Sequence, residues 1–407
     1  MFGFLRKSST YTVDQLARMA GWIGWGSSAG GSVTEWNAVD VPAVFCAARV
    51  VAEGIAQMPV RVMQEDYGDR DVPRLRIAHE HWAHRLLSVR PNGWQTSFEF
   101  REGMVFNAVL GSGAIAIKNV VRGQVVELLP IPPGSWTVEQ ASDYSLIIRV
   151  NYADKTHDIF PLGQVFYLRG PSLDGFRALP AVRQAREAIG LSRALERQQA
   201  KLAGNGGKPS GVLSFASKLA PETVERLRET WQERFGPNGD GGIAILDGDA
   251  KFHSMTMTSV DAQYVETRRL QIEEIGRAFR VQPLMMMQSD KAATYASAEQ
   301  MFRVHGIHTL GPWVERFEQA ATRDILGNET GLRVDLDERN LLRGDFKDQA
   351  EYYTKALGAG GQPGWMTVNE IREEIGRNPI SEEWANSVPR GAMNPEGVSD
   401  GNQVPEP

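Results

Sequence analysis

The sequence predicts an α+β chain in three parts: a helix-plus-small-barrel half, two long helices bracketing a small α/β unit, and a long kinked helix leading to a small helical end. Three observations predict it. Between Ala114 and Gly170, short runs alternate apolar and polar residues, the period of half-buried strands. Two helical patterns, about Pro180 to Ala203 and about Asp261 to Arg280, enclose a unit of mixed strand and helix signals. The second of them ends in EEIGRAFRVQP (Glu273 to Pro283) and runs into LMMMQSDKAATYASAEQ (Leu284 to Gln300), small and polar residues between two helical rods.

Residues 1 to about 38 are rich in Gly, Ser and Thr and predict a flexible arm whose Trp22, Trp25 and Trp36 dock on a neighbouring surface. From Asp40, read as an N-cap with Pro42 in the first turn, Val44, Ala48, Val51 and Ile55 form one apolar stripe as far as Pro59. A strand follows over Pro59 to Gln64. Helices are predicted over Trp82 to Leu87 and Thr96 to Leu110, where Thr96 and Glu99 have the spacing of a capping box. The strands of the small barrel are Ala114 to Val120, Gln124 to Ile131, Ser135 to Gln140, Ser145 to Tyr152 and Gln164 to Gly170.

The first long helix stops at GNGG (Gly204 to Gly207), glycines that accept the left-handed conformation. The enclosed unit reads as strand (Gly211 to Phe215), helix (Ala220 to Phe235) and two strands (Ile243 to Asp247, Lys251 to Met257). The second long helix has Val265, Leu270, Ile272, Ile275 and Phe279 at helical spacing and would span about 30 Å at ~1.5 Å per residue. Pro283 ends it, because proline lacks a backbone donor and disfavours the α region for Gln282. A long helix from Ala298 to about Ile325 is expected to kink at Gly311-Pro312. A strand (Leu332 to Leu336), a helix (Asn340 to Leu357), a small helical end (Thr367 to Gly376) and a Pro-rich, acidic, disordered tail complete the reading.

Composition narrows the function. The 407 residues, 42% hydrophobic, suffice for two or three domains. A net charge of -6 argues against a protein that grips DNA through many phosphate contacts. Cys46, the single cysteine, can form no internal disulfide, which fits a reducing compartment, and it reads as a small core residue. No run of about 18 apolar residues predicts a membrane span.

Catalytic motifs are weak. His79, His81 and His84 fall within six residues and invite a zinc reading, and with it a metal-dependent hydrolase. No cysteine or carboxylate completes a familiar ligand pattern, so a surface or helix-start role is expected and no metal is assigned. GNGGKPSG (Gly204 to Gly211) departs from the phosphate loop, with Leu202 at the first glycine's place and Pro209 where the Mg²⁺-binding hydroxyl belongs. No G-x-S-x-G elbow occurs. Asp335, Asp337, Asp345 and Asp348 lack EF-hand spacing. No catalytic residue and no cofactor is assigned. The methionines Met285, Met286 and Met287 read either as core gap-fillers or as an adaptable contact surface.

Four ordered blocks carry a resemblance. They are PAVFCAARVVAEGIAQMPVRV (Pro42 to Val62), HRLLSVRPNGWQTSFEFRE (His84 to Glu102), the joint with TYASAEQMF (Thr294 to Phe302) and HTLGPWVERFEQA (His308 to Ala320), and the segment from Asn340 to Gly376. In this order they resemble the portal proteins of long-tailed bacteriophages with the Hong Kong type of capsid. One departure is that the family's usual VPP is Val281-Gln282-Pro283 here, which bears on how the chain approaches the loop.

The resemblance implies a portal fold: an arm (1–38), a wing (39–177), a first stem helix (178–206), a clip (207–258) and a second stem helix (259–282). A tunnel loop (283–297), a long helix with a wing strand (298–339), a helical crown (340–394) and a disordered tail (395–407) would follow. It implies a ring of about twelve subunits, closed by heterologous contacts, at one capsid vertex, assembled in the host bacterial cytoplasm. Double-stranded DNA would enter and leave along its axis without sequence specificity. The major capsid protein, the terminase large subunit and a head-tail adaptor are the implied partners.

Carried onto this chain, Gln288, Ser289, Asp290, Lys291, Ala292 and Thr294 would lie closest to DNA. Glu266, Arg269, Glu273 and Arg277 would contact neighbouring stems; without the family they read as a solvated face with i,i+4 pairing. The runner-up function is a non-channel structural component of the virion, which would need no axial stem.

Overall fold

The structure, a computed structural model, describes residues 24–66, 74–204, 212–214, 220–226, 229, 251–253, 260–288, 295–327, 329–338, 346–358, 363–375 and 377–388. The chain divides into two units, Met1–Asp337 and Glu338–Pro407.

The first unit opens with a hairpin, β1 (Trp25–Ser27) and β2 (Gly31–Val33), and a short helix, α1 (Glu35–Ala38). This corrects the expected flexible arm over these residues: Thr34 and Asn37 cap α1 reciprocally, and the Ser28 amide donates to Glu187 Oε2 at 2.9 Å. Trp22 and the residues before it lie outside the described residues. Next come α2 (Pro42–Ala56), β3 (Val60–Asp66), β4 (Arg74–Ile77), α3 (Trp82–Ser88) and α4 (Ser97–Leu110). The N-cap of α2 is Val41, not Asp40, and it offers no side-chain bond; Pro42 supplies the preset φ instead. Thr96 and Glu99 form the expected capping box on α4.

The strands of the predicted small barrel are β5 (Ala114–Val121), β6 (Gln124–Ile131), β7 (Trp136–Gln140), β8 (Leu146–Asn151), β9 (His157–Pro161) and β10 (Val165–Leu168). The sequence reading missed β9, whose five residues include a proline and two charged or titratable side chains. Sheets β10-β5-β6 and β7-β8-β9 enclose one core of Ile115, Val165 and Tyr167 against Trp136, Val138, Ile148 and Val150. On the far side of the first sheet, Phe166 packs on Phe100 of α4 at 6.4 Å between ring centroids.

The first long helix is divided: α5 (Ala181–Gln184) ends at Ala185, and α6 (Arg186–Gly204) continues. Gly190 of α6 has no room for a side chain, since a Cβ there would lie 2.6 Å from Ser27 Cβ of the hairpin. Of the enclosed unit, β11 (Val212–Ser214) and β12 (Lys251–His253) form an antiparallel pair, and residues 221–226 are helical; the predicted strand from Ile243 to Asp247 lies outside the described residues.

The second long helix, α7 (Val260–Phe279), lies along α6, joined by Arg268 Nη1 to Glu196 Oε1 at 2.7 Å. Its expected apolar stripe divides: Ile275 and Phe279 are buried, whereas Val265 and Leu270 are half exposed.

After the joint come α8 (Tyr295–Val304), a π-helical stretch His305–Leu310, α9 (Gly311–Ala321) and a second π stretch, Thr322–Leu326. Just before Gly311-Pro312, where a kink is expected, the helix widens by one residue per turn. The Gly311 amide donates to Gly306 O, five residues back, which loosens the turn that the Pro312 ring would otherwise crowd. Strand β13 (Leu332–Leu336) then pairs antiparallel with β3, which pairs with β4 on its other side.

The long helix also satisfies the open edges of two sheets. Thr322 Oγ1 accepts from the Val334 amide at 3.0 Å and Glu318 Oε1 from the Leu336 amide at 2.6 Å, both on β13. Buried Asp324 accepts from the Tyr167 amide of β10 at 2.9 Å and is held by Arg323. Phe317 of α9 meets Phe166 edge-on at 5.8 Å.

The second unit holds α10 (Phe346–Ala356) and α11 (Val368–Glu374). Thr367 and Glu370 cap α11 reciprocally, and the Asn369 side chain bridges to both backbone groups of Ile380.

Candidate functional site

The joint between α7 and the long helix is built so that α7 stops abruptly and is fastened by two other elements. Arg280 takes the left-handed conformation, with φ 57°, at the helix end, and the Val281 amide reaches back to Gly276 O at 2.9 Å. Gly276 is required at this stop: a Cβ would lie 2.8 Å from Val281 O and 3.2 Å from Met286 Sδ. Gln282 is extended, with φ -70° and ψ 146°, and leads into a 3₁₀ turn over Pro283–Met286. Met287 is again left-handed, and the Gln288 amide closes the turn on Pro283 O at 3.0 Å.

The fastenings come from two other elements. Thr309 Oγ1, in the first π stretch, donates to Arg280 O at 2.7 Å and satisfies a carbonyl that the helix end leaves over. On α2, Cys46 Sγ lies 3.9 Å from Met285 O, and the turn packs along this helix. Burial pushes the Cys46 thiol up, as befits its reading as a small packing residue. The methionines divide between their two readings: Met286 is buried as a gap-filler, and Met287 is 92% exposed.

Of the predicted DNA-facing residues, Gln288 is the last one described before α8. Ser289, Asp290, Lys291, Ala292 and Thr294 lie outside the described residues. Of the predicted stem residues, Glu266 and Arg269 are exposed on α7, while Arg277 pairs within the helix with Glu273 at 3.6 Å and with Glu274. Sequence reasoning missed Thr309 and Gly276, which fasten the joint; the signal for Gly276 was a glycine inside a helical pattern four residues before its end.

The histidines have structural partners. His81 is the N-cap of α3: its Nδ1 accepts from the Ala83 amide at 3.3 Å, which leaves Nε2 to donate to Glu329 at 2.8 Å. His84 Nδ1 accepts from the Val62 amide, and its ring meets His79 edge-on at 5.0 Å. Burial holds the His84 pKa below the usual value. This is the helix-start role expected for the cluster, and no group of three metal-ligating side chains occurs among the described residues.

The sequence pattern of the phage portal protein family matches residues 42–376. The chain belongs to the phage portal protein family. It is 24% identical over 354 residues to the portal protein of Enterobacteria phage HK97, covering 86% of this chain and 81% of that protein. With the probable portal protein of Streptomyces phage phiC31 it shares 27% identity over 375 residues, covering 88% and 79%.

Two solved structures share the fold. An HK97-family phage portal protein from Corynebacterium diphtheriae superposes with TM-score 0.58 at 17% identity, covering 79% of this chain and 99% of that one. A chain of the native gene transfer agent virion gives 0.59 at 19% identity, covering 90% and 99%. Portal proteins are virion components with a structural rather than catalytic task. No described helix is long and apolar enough to cross a membrane.

Proposed function

We propose that this portal protein assembles as a closed ring of twelve copies at one capsid vertex and forms the channel through which double-stranded DNA is packaged and ejected. The observation that carries this reading is the stem: two long helices joined by Arg268 and Glu196, with Val265 and Leu270 left half exposed, running into a joint fastened to the wing. Such apolar residues on a rod need a neighbour, and a heterologous contact repeated around an axis closes into a ring. A neck structure of a native gene transfer agent particle, computed with C12 symmetry, contains a chain of this fold, with TM-score 0.57.

In this reading Glu266, Arg269, Glu273 and Arg277 contact neighbouring stems, and Gln288, Ser289, Asp290, Lys291, Ala292 and Thr294 line the narrowest part of the bore. One lysine beside one aspartate per subunit, Lys291 and Asp290, gives weak contact that is blind to sequence. The enclosed α/β unit is the clip that receives the terminase large subunit and then the head-tail adaptor, and the wing meets the major capsid protein. Assembly takes place in the host cytoplasm and the product is part of the virion. Negative-stain imaging with native mass determination tests the reading. Rings of about twelve copies with an axial hole are expected; a monomer or dimer that persists at high concentration and on capsid scaffolds overturns it.

A further inference from the structure

We infer that the segment from Trp25 to Ala38 is a rigid strap laid across the break between α5 and α6. It fixes the tilt at which the α6–α7 pair leaves the rest of the first unit, and it does so whether or not copies close into a ring. The first observation is that these two helices are held only at their feet. Ile189 and Ser192 are buried at the foot of α6, and no described residue of that helix beyond them is. On α7, burial among the described residues begins at Gln271 and continues through Ile275, Gly276 and Phe279 to the joint. The tie farther out, Arg268 to Glu196, is over a third exposed on both sides, and such pairs contribute little.

The foot of α7 is secured by the joint, but the foot of α6 is not secured by its own backbone. Ala185 leaves the helical conformation, with φ -89° and ψ 4°, and the Arg183 carbonyl accepts instead from Arg186 Nη1 at 3.2 Å. A residue at the end of an element that departs from helical geometry is where a bend is absorbed most easily. The four residues of α5 are too few to hold a direction by themselves.

The strap is attached on both sides of that point. Past the break, the Ser28 amide donates to Glu187 Oε2 at 2.9 Å, and the absent side chain of Gly190 lets Ser27 and Ala29 lie directly on α6. Before it, Glu35 sits over Gly111 at the end of α4 and accepts from the Ser112 backbone, and the Val41 amide on Ala38 O leads the chain straight into α2. Asn37 joins the two ends into one piece. Its Oδ1 accepts from the Thr34 amide at 2.9 Å to cap α1, and its Nδ2 donates to Ser32 O of β2 at 2.9 Å. A stiff piece fixed on either side of a bendable residue removes the bend.

Spin-label distances in the full chain test this. In a Cys46→Ser parent, Gln124→Cys on β6 with Gln198→Cys on α6 carries the measuring pair, and Gln124→Cys with Gln140→Cys on β7 carries a reference pair; all three positions are exposed. Labelled chain is diluted into unlabelled chain so that distances within one copy are read. Gln198 lies about 18 Å beyond the break at ~1.5 Å per residue, so a tilt of about 15° moves it by about 5 Å. The strap is released by Asn37→Ala and by Gly190→Leu, a better helix former whose added Cβ has only hairpin side chains as its nearest neighbours. A narrow Gln124–Gln198 distance is expected in the parent and a much broader one in each variant, with the reference distance unchanged. A broad distance in the parent, or a narrow one in both variants, overturns the inference. Should Asn37→Ala fail to fold or broaden the reference pair, Gly190→Leu decides alone. If the reference pair broadens there too, the segment is part of the core and not a tie across a break, and the inference falls.

Discussion

Leu310 occupies the space that Gly54 leaves open on α2: a Cβ at Gly54 would lie 2.8 Å from Leu310 Cδ2 and 3.1 Å from Cδ1. Both residues are buried, so the long helix is seated against α2 at this point without slack. Gly54→Val should lower stability by about 1–3 kcal/mol, the usual cost of overpacking, despite the gain of a better helix former. The midpoint of urea unfolding measures it, and an unchanged midpoint would mean that the contact gives way freely.

Gln282 departs from the proline that resembles the family's pattern, yet its φ of -70° is the value that proline imposes. Its side-chain oxygen is buried without a partner among the described residues. Gln282→Pro should therefore raise stability by about 0.4–1 kcal/mol through the stiffer unfolded chain. A fall in melting temperature would show that the Gln282 amide has a task.

Glu35 sits over Gly111, where any Cβ would collide with its carboxyl group, and burial pushes its pKa up to about 7 despite a bond from the Ser112 backbone. The folded state therefore holds the proton more tightly than the unfolded one. The docking of α1 is strongest below the unfolded pKa of 4.5 and weakens as pH rises through about 7. The full difference is about 3 kcal/mol at most. Hydrogen exchange at Ser112, corrected for the intrinsic rate, should show more protection at pH 5 than at pH 8. In Glu35→Gln the two values should agree.

Lys291→Ala should leave ring formation intact and alter how much DNA is packaged or retained. Native mass and the DNA content of particles measure the two effects separately. Failure to assemble would make this lysine structural.

Local rules made the helices and strands of the first half legible. Thr96 and Glu99 announced a helix start by spacing, and the strand expected over Pro59 to Gln64 is found at Val60–Asp66. The division of the stem stripe was not legible, because Val265 and Ile275 have the same apolar character and only packing separates them. The satisfaction of β10 and β13 by Asp324, Thr322 and Glu318 joins residues 12, 18 and 157 positions apart, beyond any periodicity. The π turns were invisible for another reason: one added residue shifts the helical period too little to stand out in a window of sequence. Of the candidate tunnel residues, the resemblance named positions that composition alone would have passed over as a polar connection.

A π turn is what a helix becomes when it takes up an extra residue without giving up its axis. At His305–Leu310 and Thr322–Leu326 the long helix therefore has turns that can absorb a residue while the chain on either side stays helical. Related chains can gain or lose one residue at these two places while the helical segments on either side stay in phase. Length differences among relatives should gather there, and leave Gly311–Ala321 uninterrupted.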